Sequence, residues 1–482
     1  MSLKLIEYAD ICIENTSFSE KHIVFVLDTS AAKNFAFADI LEKRLNRSQT
    51  EWKDLEKSPI ILDLPSGGLA SFIAIDTKKS TFQRHTLLRK AIMPLLNEYP
   101  EHIGICVYGD ALTRKENASA AYYVVSVNVA KLPNRKKENK TPHLKSIHVY
   151  GYQSEHAYRH IEAQVAGNTL CRNLTMTPPN ELNPTHYRRA IKKLAETHQW
   201  QWEEFDMPTL HQLGAGAFYA VGQGSDPQDA AIVHLTYTPK SANKTVALVG
   251  KGICFDTGGH NLKPAKYMQN MHEDMNGSAV ALGILLGASQ MQLPIKIDCW
   301  LAIAQNHIGP LAYKQNDIVT SLNGTTIEIV HTDAEGRMVL ADTLTLASRL
   351  KPDLMIDFAT LTGSMQTAIG NRMSGIISNR DELAQQAMKA GKLTGERVVV
   401  FPFAEDYDSD LDSEIADIKQ CTMDSDADHI LAARFLSKFI EYDTPWLHMD
   451  LSCVNRKDGL GAIQSDINGF GVGLTLELLQ QV

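Results

Sequence analysis

Apolar and polar positions follow two rhythms along this chain, and the rhythms alternate. Apolar, β-branched runs at 22–27, 69–75 and 103–108 have strand length, whereas 80–96 sets Leu87, Leu88, Ile92, Leu95 and Leu96 at helical spacing. This alternation predicts a small α/β domain over 1–150. A linker helix is expected within 151–173: it begins near Ser154, an N-capping residue type, and carries Tyr158, Ile161 and Val165 on one face. Thr177-Pro178-Pro179-Asn180 breaks the chain after it, and Asn183-Pro184 opens a further helix. A second, larger domain is expected over 174–482.

That second domain repeats one theme. Strand-like runs at 245–249, 295–304, 326–330, 354–358 and 446–451 mostly lead into polar or glycine-bearing loops. In open α/β sheets, ligands bind where loops leave the carboxyl ends of strands. The most apolar stretch, 278–291, is too short to span a bilayer and reads as a buried helix. No apolar run follows the first lysine, so the start is not read as a signal peptide.

Composition narrows the field. A chain of 482 residues with 44% hydrophobic and 21% charged residues is ordinary globular material for two or three domains. The formal net charge of -9 argues against nucleic acid as the main partner. Arg135-Lys136-Lys137, in a basic stretch over 132–144, reads as a solvated loop. Seven scattered cysteines without CxxC spacing read as reduced thiols in a cytoplasmic protein. His156 and His160 have the helical spacing of a zinc pair, but no third ligand is evident and surface histidines are the plainer reading.

Two segments carry the chemistry. The first, over 250–264 and on to 271–277, sets Lys251, Asp256, Lys263 and Asp274 among glycines, between a buried strand and a buried helix. Charges beside low-dielectric material need partners or a metal. The glycines do not fit a Walker loop, and His272-Glu273 does not open an HExxH helix, because residue 276 is asparagine. The second segment, over 331–337, holds Asp333 and Glu335 ahead of a helix expected over 338–350. Thr332 and Glu335 also fit a capping box. Arg337, a cation in the first helical turn, fits an anion site better than a cap. Taken together, four carboxylates converging at one sheet edge cannot all stay ionised without cations. Paired divalent metals, typically ~3.5–4 Å apart, would satisfy them.

These residues resemble the leucine aminopeptidase (cytosol aminopeptidase) family. Thr332-Asp333-Ala334-Glu335-Gly336-Arg337 matches that family's NTDAEGR signature, and the spacing of Lys251, Asp256, Lys263, Asp274 and Asp333 agrees with it. Thr360-Leu361-Thr362-Gly363 fits its substrate-pocket loop, and the likeness runs from about 170 to 482. The resemblance implies an α/β fold with a smaller N-terminal domain and a larger C-terminal catalytic domain, the latter built on a central mixed sheet flanked by helices. It implies a hydrolase that removes the N-terminal residue from peptides with two divalent ions, Mn or Zn, with Mg or Co as further candidates. One ion would be bound by Asp256, Asp333 and Glu335, the other by Lys251, Asp256, Asp274 and Glu335. Lys251 would have to be neutral to do this. Lys263 would stabilise the oxyanion, and Arg337 would hold a bicarbonate that helps move the proton. Met271, Thr360, Leu361 and Gly363 would line the first-residue pocket. A cytoplasmic homohexamer acting on peptides, with no membrane or nucleic-acid partner, is the implied setting. His331 departs from the family's usual asparagine and His272 from its frequent lysine. His260 adds a third histidine, and Ser452-Cys453 stands where Ala-Gly is typical. A two-metal phosphoesterase, and a non-catalytic hexameric scaffold or DNA-associated architectural protein, are the competing readings.

Overall fold

In the computed structural model the apolar runs pair into three sheets, and residues 3–14, 18, 20–28, 34–137, 143–156, 158–424 and 426–481 are described. The chain divides into two units. The first comprises 1–165 with 392–395 and 457–468, and the second comprises 166–391, 396–456 and 469–482.

The first unit is built on strands β1 (Lys4–Tyr8), β2 (His22–Asp28), β3 (Ile60–Asp63), β4 (Leu69–Ile75), β5 (His102–Val107) and β6 (Ser146–Tyr150). Their order is β1-β6-β5-β2-β4-β3, parallel except for the antiparallel β3–β4 pair. Strands β2, β4, β5 and β6 are buried almost throughout. Continuous apolar runs suit a parallel sheet covered on both faces. Leu88, Ile92 and Val125 pack with Val24 and Ile105 in one core, and Leu41 and Phe35 pack with Phe25 and Phe72 in another. Helix Thr81–Leu96 starts at Ser80 through a capping box: Ser80 Oγ accepts from the Gln83 N–H, and Gln83 Oε1 accepts from the Ser80 N–H at 3.0 Å.

The linker helix, by contrast, starts at Arg159 and ends at Thr175. Tyr158 has a φ of 56°, a left-handed conformation that no α-helix can pass through. Ser154 Oγ instead accepts the His156 and Tyr158 N–H groups in a turn ahead of the helix. His156 therefore precedes the helix and does not share a face with His160, and both are exposed. Arg135, Lys136 and Lys137 are exposed too, and residues 138–142 of the basic stretch lie outside the described residues.

The second unit contributes β7 (Gln201–Asp206), β8 (Ala231–Tyr237), β9 (Lys244–Asp256), β10 (Ile295–Asn306), β11 (Ile318–Thr320), β12 (Thr326–Glu328), β13 (Leu354–Ala359), β14 (Ser374–Ser378), β15 (Val398–Val400), β16 (Ile418–Lys419) and β17 (Trp446–Asp450). Eight of them form a mixed sheet in the order β15-β14-β17-β13-β9-β10-β8-β7, and β11, β12 and β16 form a small separate sheet. The long strand β9 lies between β10 and β13, parallel to both. Helix Asn276–Met291 is buried on every side from 276 to 288, as its predominantly apolar pattern over 279–288 requires. Each fully buried leucine or isoleucine there contributes about 1.5–3 kcal/mol. No helix among the described residues is long and apolar enough to cross a membrane, and no disulfide links the seven buried cysteines.

Candidate active site

Lys251 sits within β9, not in a glycine loop. A Cβ on Gly250 would lie 2.5 Å from Ser278 Cα, so the glycine there lets a helix press against the strand rather than a turn form. Lys251 Nζ lies 2.8 Å from Asp274 Oδ2 and 3.0 Å from Glu335 Oε1, and donates to the Thr360 carbonyl at 3.0 Å. Asp256 ends the same strand. The chain then turns through Gly258, at φ 86°, whose N–H donates to Asp256 Oδ1 at 2.9 Å. That turn returns Lys263 Nζ to 2.8 Å from Asp256 Oδ2 and 2.6 Å from Asp333 Oδ1.

Asp333 and Glu335 arrive from the small sheet, after β12, and not from the eight-stranded one. Helix Glu335–Arg349 begins three residues earlier than the sequence pattern places it. The capping box does not form: Thr332 Oγ1 donates to the Gly258 carbonyl at 2.7 Å and accepts the Asn261 N–H at 2.8 Å, and no side chain caps the helix. Glu335 is thereby free to point into the site, where one oxygen each from Asp256, Asp333 and Glu335 lies within 4.8 Å of the others. Asp274, in the 3-10 turn Met271–Met275, joins them through Lys251.

Burial and the nearby Asp256 carboxylate push Asp333 up to about 6. Burial likewise pushes Asp274 up to about 6, with Lys251 opposing and Asp256 adding to the rise. Glu335 rises well above its ordinary value, from burial and then Asp256. Burial works to lower Lys251, but Asp274, Glu335 and Asp256 outweigh it and hold the ammonium above the usual lysine range. Asp274 Oδ2 and Asp333 Oδ1 are buried against lysines without a well-aligned hydrogen bond. Crowded, under-bonded carboxylate oxygens are a donor set that fits hard or borderline divalent cations.

Above these charges is a cavity of about 580 Å³. Met271, Thr360, Leu361 and Gly363 all line it, as do His331 and Ser452, whereas His260 and His272 do not. Arg337 is 2% exposed, and its Nη2 lies 2.8 and 2.9 Å from the two oxygens of Asp428, while Nη1 donates to the Gln420 carbonyl at 3.1 Å. A bicarbonate at Arg337 does not fit this arrangement, because a carboxylate of the chain already takes Nη2 and the Gln420 carbonyl takes Nη1.

A model of the cytosol aminopeptidase family's catalytic domain matches residues 169–476. The chain belongs to the cytosol aminopeptidase family. It is 43% identical over 300 residues to a probable cytosol aminopeptidase of Stutzerimonas stutzeri, covering 62% of this chain and 60% of that one. It is 39% identical over 321 residues to one of Bradyrhizobium, covering 66% and 62%. The matched stretch thus spans about three fifths of these curated relatives. Among solved structures, the bottromycin maturation enzyme BotP in complex with Mn superposes with a TM-score of 0.83 at 27% identity, over 96% of this chain and 99% of that one. A mutant of tomato leucine aminopeptidase shares the fold with a TM-score of 0.88 at 24% identity, over 100% and 97%.

For this family member, several residues of the site escape sequence reasoning. Asn306, at the end of β10 and in register with Asp256, donates to Asp256 Oδ1 at 2.9 Å, to the Thr332 carbonyl at 3.0 Å and to Glu335 Oε2 at 3.2 Å. Tyr313 donates to the Thr332 carbonyl at 2.7 Å. Asp450 accepts the Leu361 N–H at 3.1 Å and the Thr362 hydroxyl at 2.6 Å, which fixes the pocket loop. A polar residue closing an apolar strand was the available signal for Asn306 and Asp450. Asp428 offered none.

Proposed function

We propose that this chain is a metal-dependent aminopeptidase that hydrolyses the N-terminal residue from peptides in the cytoplasm. The observation that carries the reading is the meeting of Asp256, Asp333 and Glu335 within 4.8 Å, from two separate sheets, with Asp256 and Asp333 lining a peptide-sized cavity. Two divalent ions, held by Asp256, Asp333 and Glu335 and by Lys251, Asp256, Asp274 and Glu335, would supply Lewis acidity and a water acidic enough to attack an amide at neutral pH. Manganese in the related BotP structure supports Mn among the candidates, alongside Zn, Mg and Co.

The chain's own groups do the rest. Lys251 coordinates only as a neutral amine, and cations beside its carboxylate partners would offset the charges that now keep its proton on. Lys263 keeps N–H donors at the Asp256 and Asp333 end of the floor, where a scissile carbonyl oxygen gains charge. Met271 and the loop Thr360–Gly363, tied down by Asp450, form the wall that meets the first side chain. A homohexamer belongs to the same proposal, and sedimentation of the purified chain tests it.

The deciding experiment is hydrolysis of an aminoacyl anilide. Activity is expected to vanish with a chelator and to return with Mn or Zn. Cleavage of phosphate esters with no cleavage of anilides would overturn the reading in favour of a phosphoesterase.

A further inference from the structure

A guanidinium buried in the first turn of a helix faces that helix's positive end, and so needs an anion close by. For Arg337 the chain supplies one. Asp428 opens helix Asp428–Ser437, where a negative charge is itself favoured, and both its oxygens lie within 2.9 Å of Arg337 Nη2. The two residues line the cavity that holds Asp333, and the Asp428 side chain is only 20% exposed. A dissolved anion brought to Arg337 would meet the Asp428 carboxylate, and beyond it the carboxylates of the floor. Like charges repel strongly at such range away from bulk water.

We propose that Asp428 is a built-in counter-anion for Arg337, a positioning residue that takes the place of an exchangeable anion and makes the reaction independent of bicarbonate. The proposal rests on the aminopeptidase reading. It gives the cavity a carboxylate that cannot dissociate, and it holds the guanidinium in one orientation through every turnover.

The test uses the full chain loaded with Zn, bicarbonate labelled with carbon-13, and anilide hydrolysis measured in parallel. Wild type is expected to show no broadening of the bicarbonate resonance and no change in rate as bicarbonate is added. Asp428→Ala is expected to lose roughly 10-fold to 100-fold in kcat with little change in KM, as a displaced group near the reacting atoms does. It should also bind bicarbonate, lose that binding when Arg337→Met is added, and recover several-fold in rate with bicarbonate or formate. Asp428→Asn fills the same space without charge, so its loss should not be restored. The proposal is overturned by bicarbonate binding to wild type that Arg337→Met abolishes, by full kcat in Asp428→Ala, or by a folded Asp428→Ala that takes up no anion. Should Asp428→Ala not fold, the wild-type and Asp428→Asn arms decide. If wild type cleaves no anilide, the aminopeptidase reading fails, and bicarbonate binding still decides this one.

Discussion

In the first unit, a buried carboxylate has partners to match it: Glu20 lies 2.6 Å from His148 Nδ1 and accepts the Tyr150 hydroxyl at 2.8 Å. In the second, Asp256, Asp274, Asp333 and Glu335 share the ammoniums of Lys251 and Lys263. Both units are helix-flanked sheets rich in parallel pairs, so architecture does not separate them. The matching of acids to donors does. Where acids and their partners are matched, burial serves stability. Where acids are in excess, the fold spends stability on a site that external cations would complete.

The largest test of this contrast is mutational. Asp333→Ala or Glu335→Ala should lower anilide hydrolysis by roughly 10³-fold with the circular dichroism spectrum unchanged, since several kcal/mol of charge stabilisation depends on the ions. Glu20→Gln, in the first unit, should leave kcat within about twofold. Near-wild-type activity in either acidic variant would break the comparison.

A second test uses pH on the chelated chain, followed by hydrogen exchange in each unit. Burial lowers His85, in the first unit, to about 4. The unfolded chain then binds that proton more readily, so its contribution is present above pH 6.5 and is lost as pH falls toward 4, by about 3 kcal/mol. Asp274 and Asp333 are raised to about 6, so their contribution is present below their unfolded value of 3.8 and is lost as pH rises through 6. Between pH 4 and 6 the two units should slope in opposite directions. Parallel slopes would show that the carboxylates are not in excess.

A third test makes one chemical change twice. Without metal, Glu335→Gln should raise the melting temperature, because it removes a disfavoured charge. Glu20→Gln should cost about 2 kcal/mol, because it weakens a satisfied hydrogen-bonded pair. The smallest effect is expected at Asp450, a buried acid of the second unit that has its donors. Asp450→Asn should raise KM several-fold, about 1 kcal/mol, with kcat nearly unchanged.

Much of this was legible in the sequence. The strands at 22–27, 69–75 and 354–358 have the length and composition that sheets demand, and Lys251, Asp256, Lys263, Asp274, Asp333 and Glu335 stand out as charges embedded in apolar surroundings. What was hidden depended on contacts far along the chain. Thr332 matches a capping pattern, yet its hydroxyl is drawn to Gly258 and Asn261, some 70 positions away. Gly250 has the look of a turn and is instead a point of close packing. Arg337 announces the need for an anion, but nothing local says that a residue 91 positions later provides it.

Strand β9 carries both Lys251 and Asp256, is paired with β10 along nearly its whole length and is flanked by β13 over 246–250. Its amides should therefore be among the last to exchange, and the spacing of two floor residues is set before any substrate arrives. The cavity wall, by contrast, comes from connecting segments around 361–363, 421–424 and 451–455. Variation in those segments can reshape the cavity while the acidic floor stays intact, so recognition and chemistry can be altered separately.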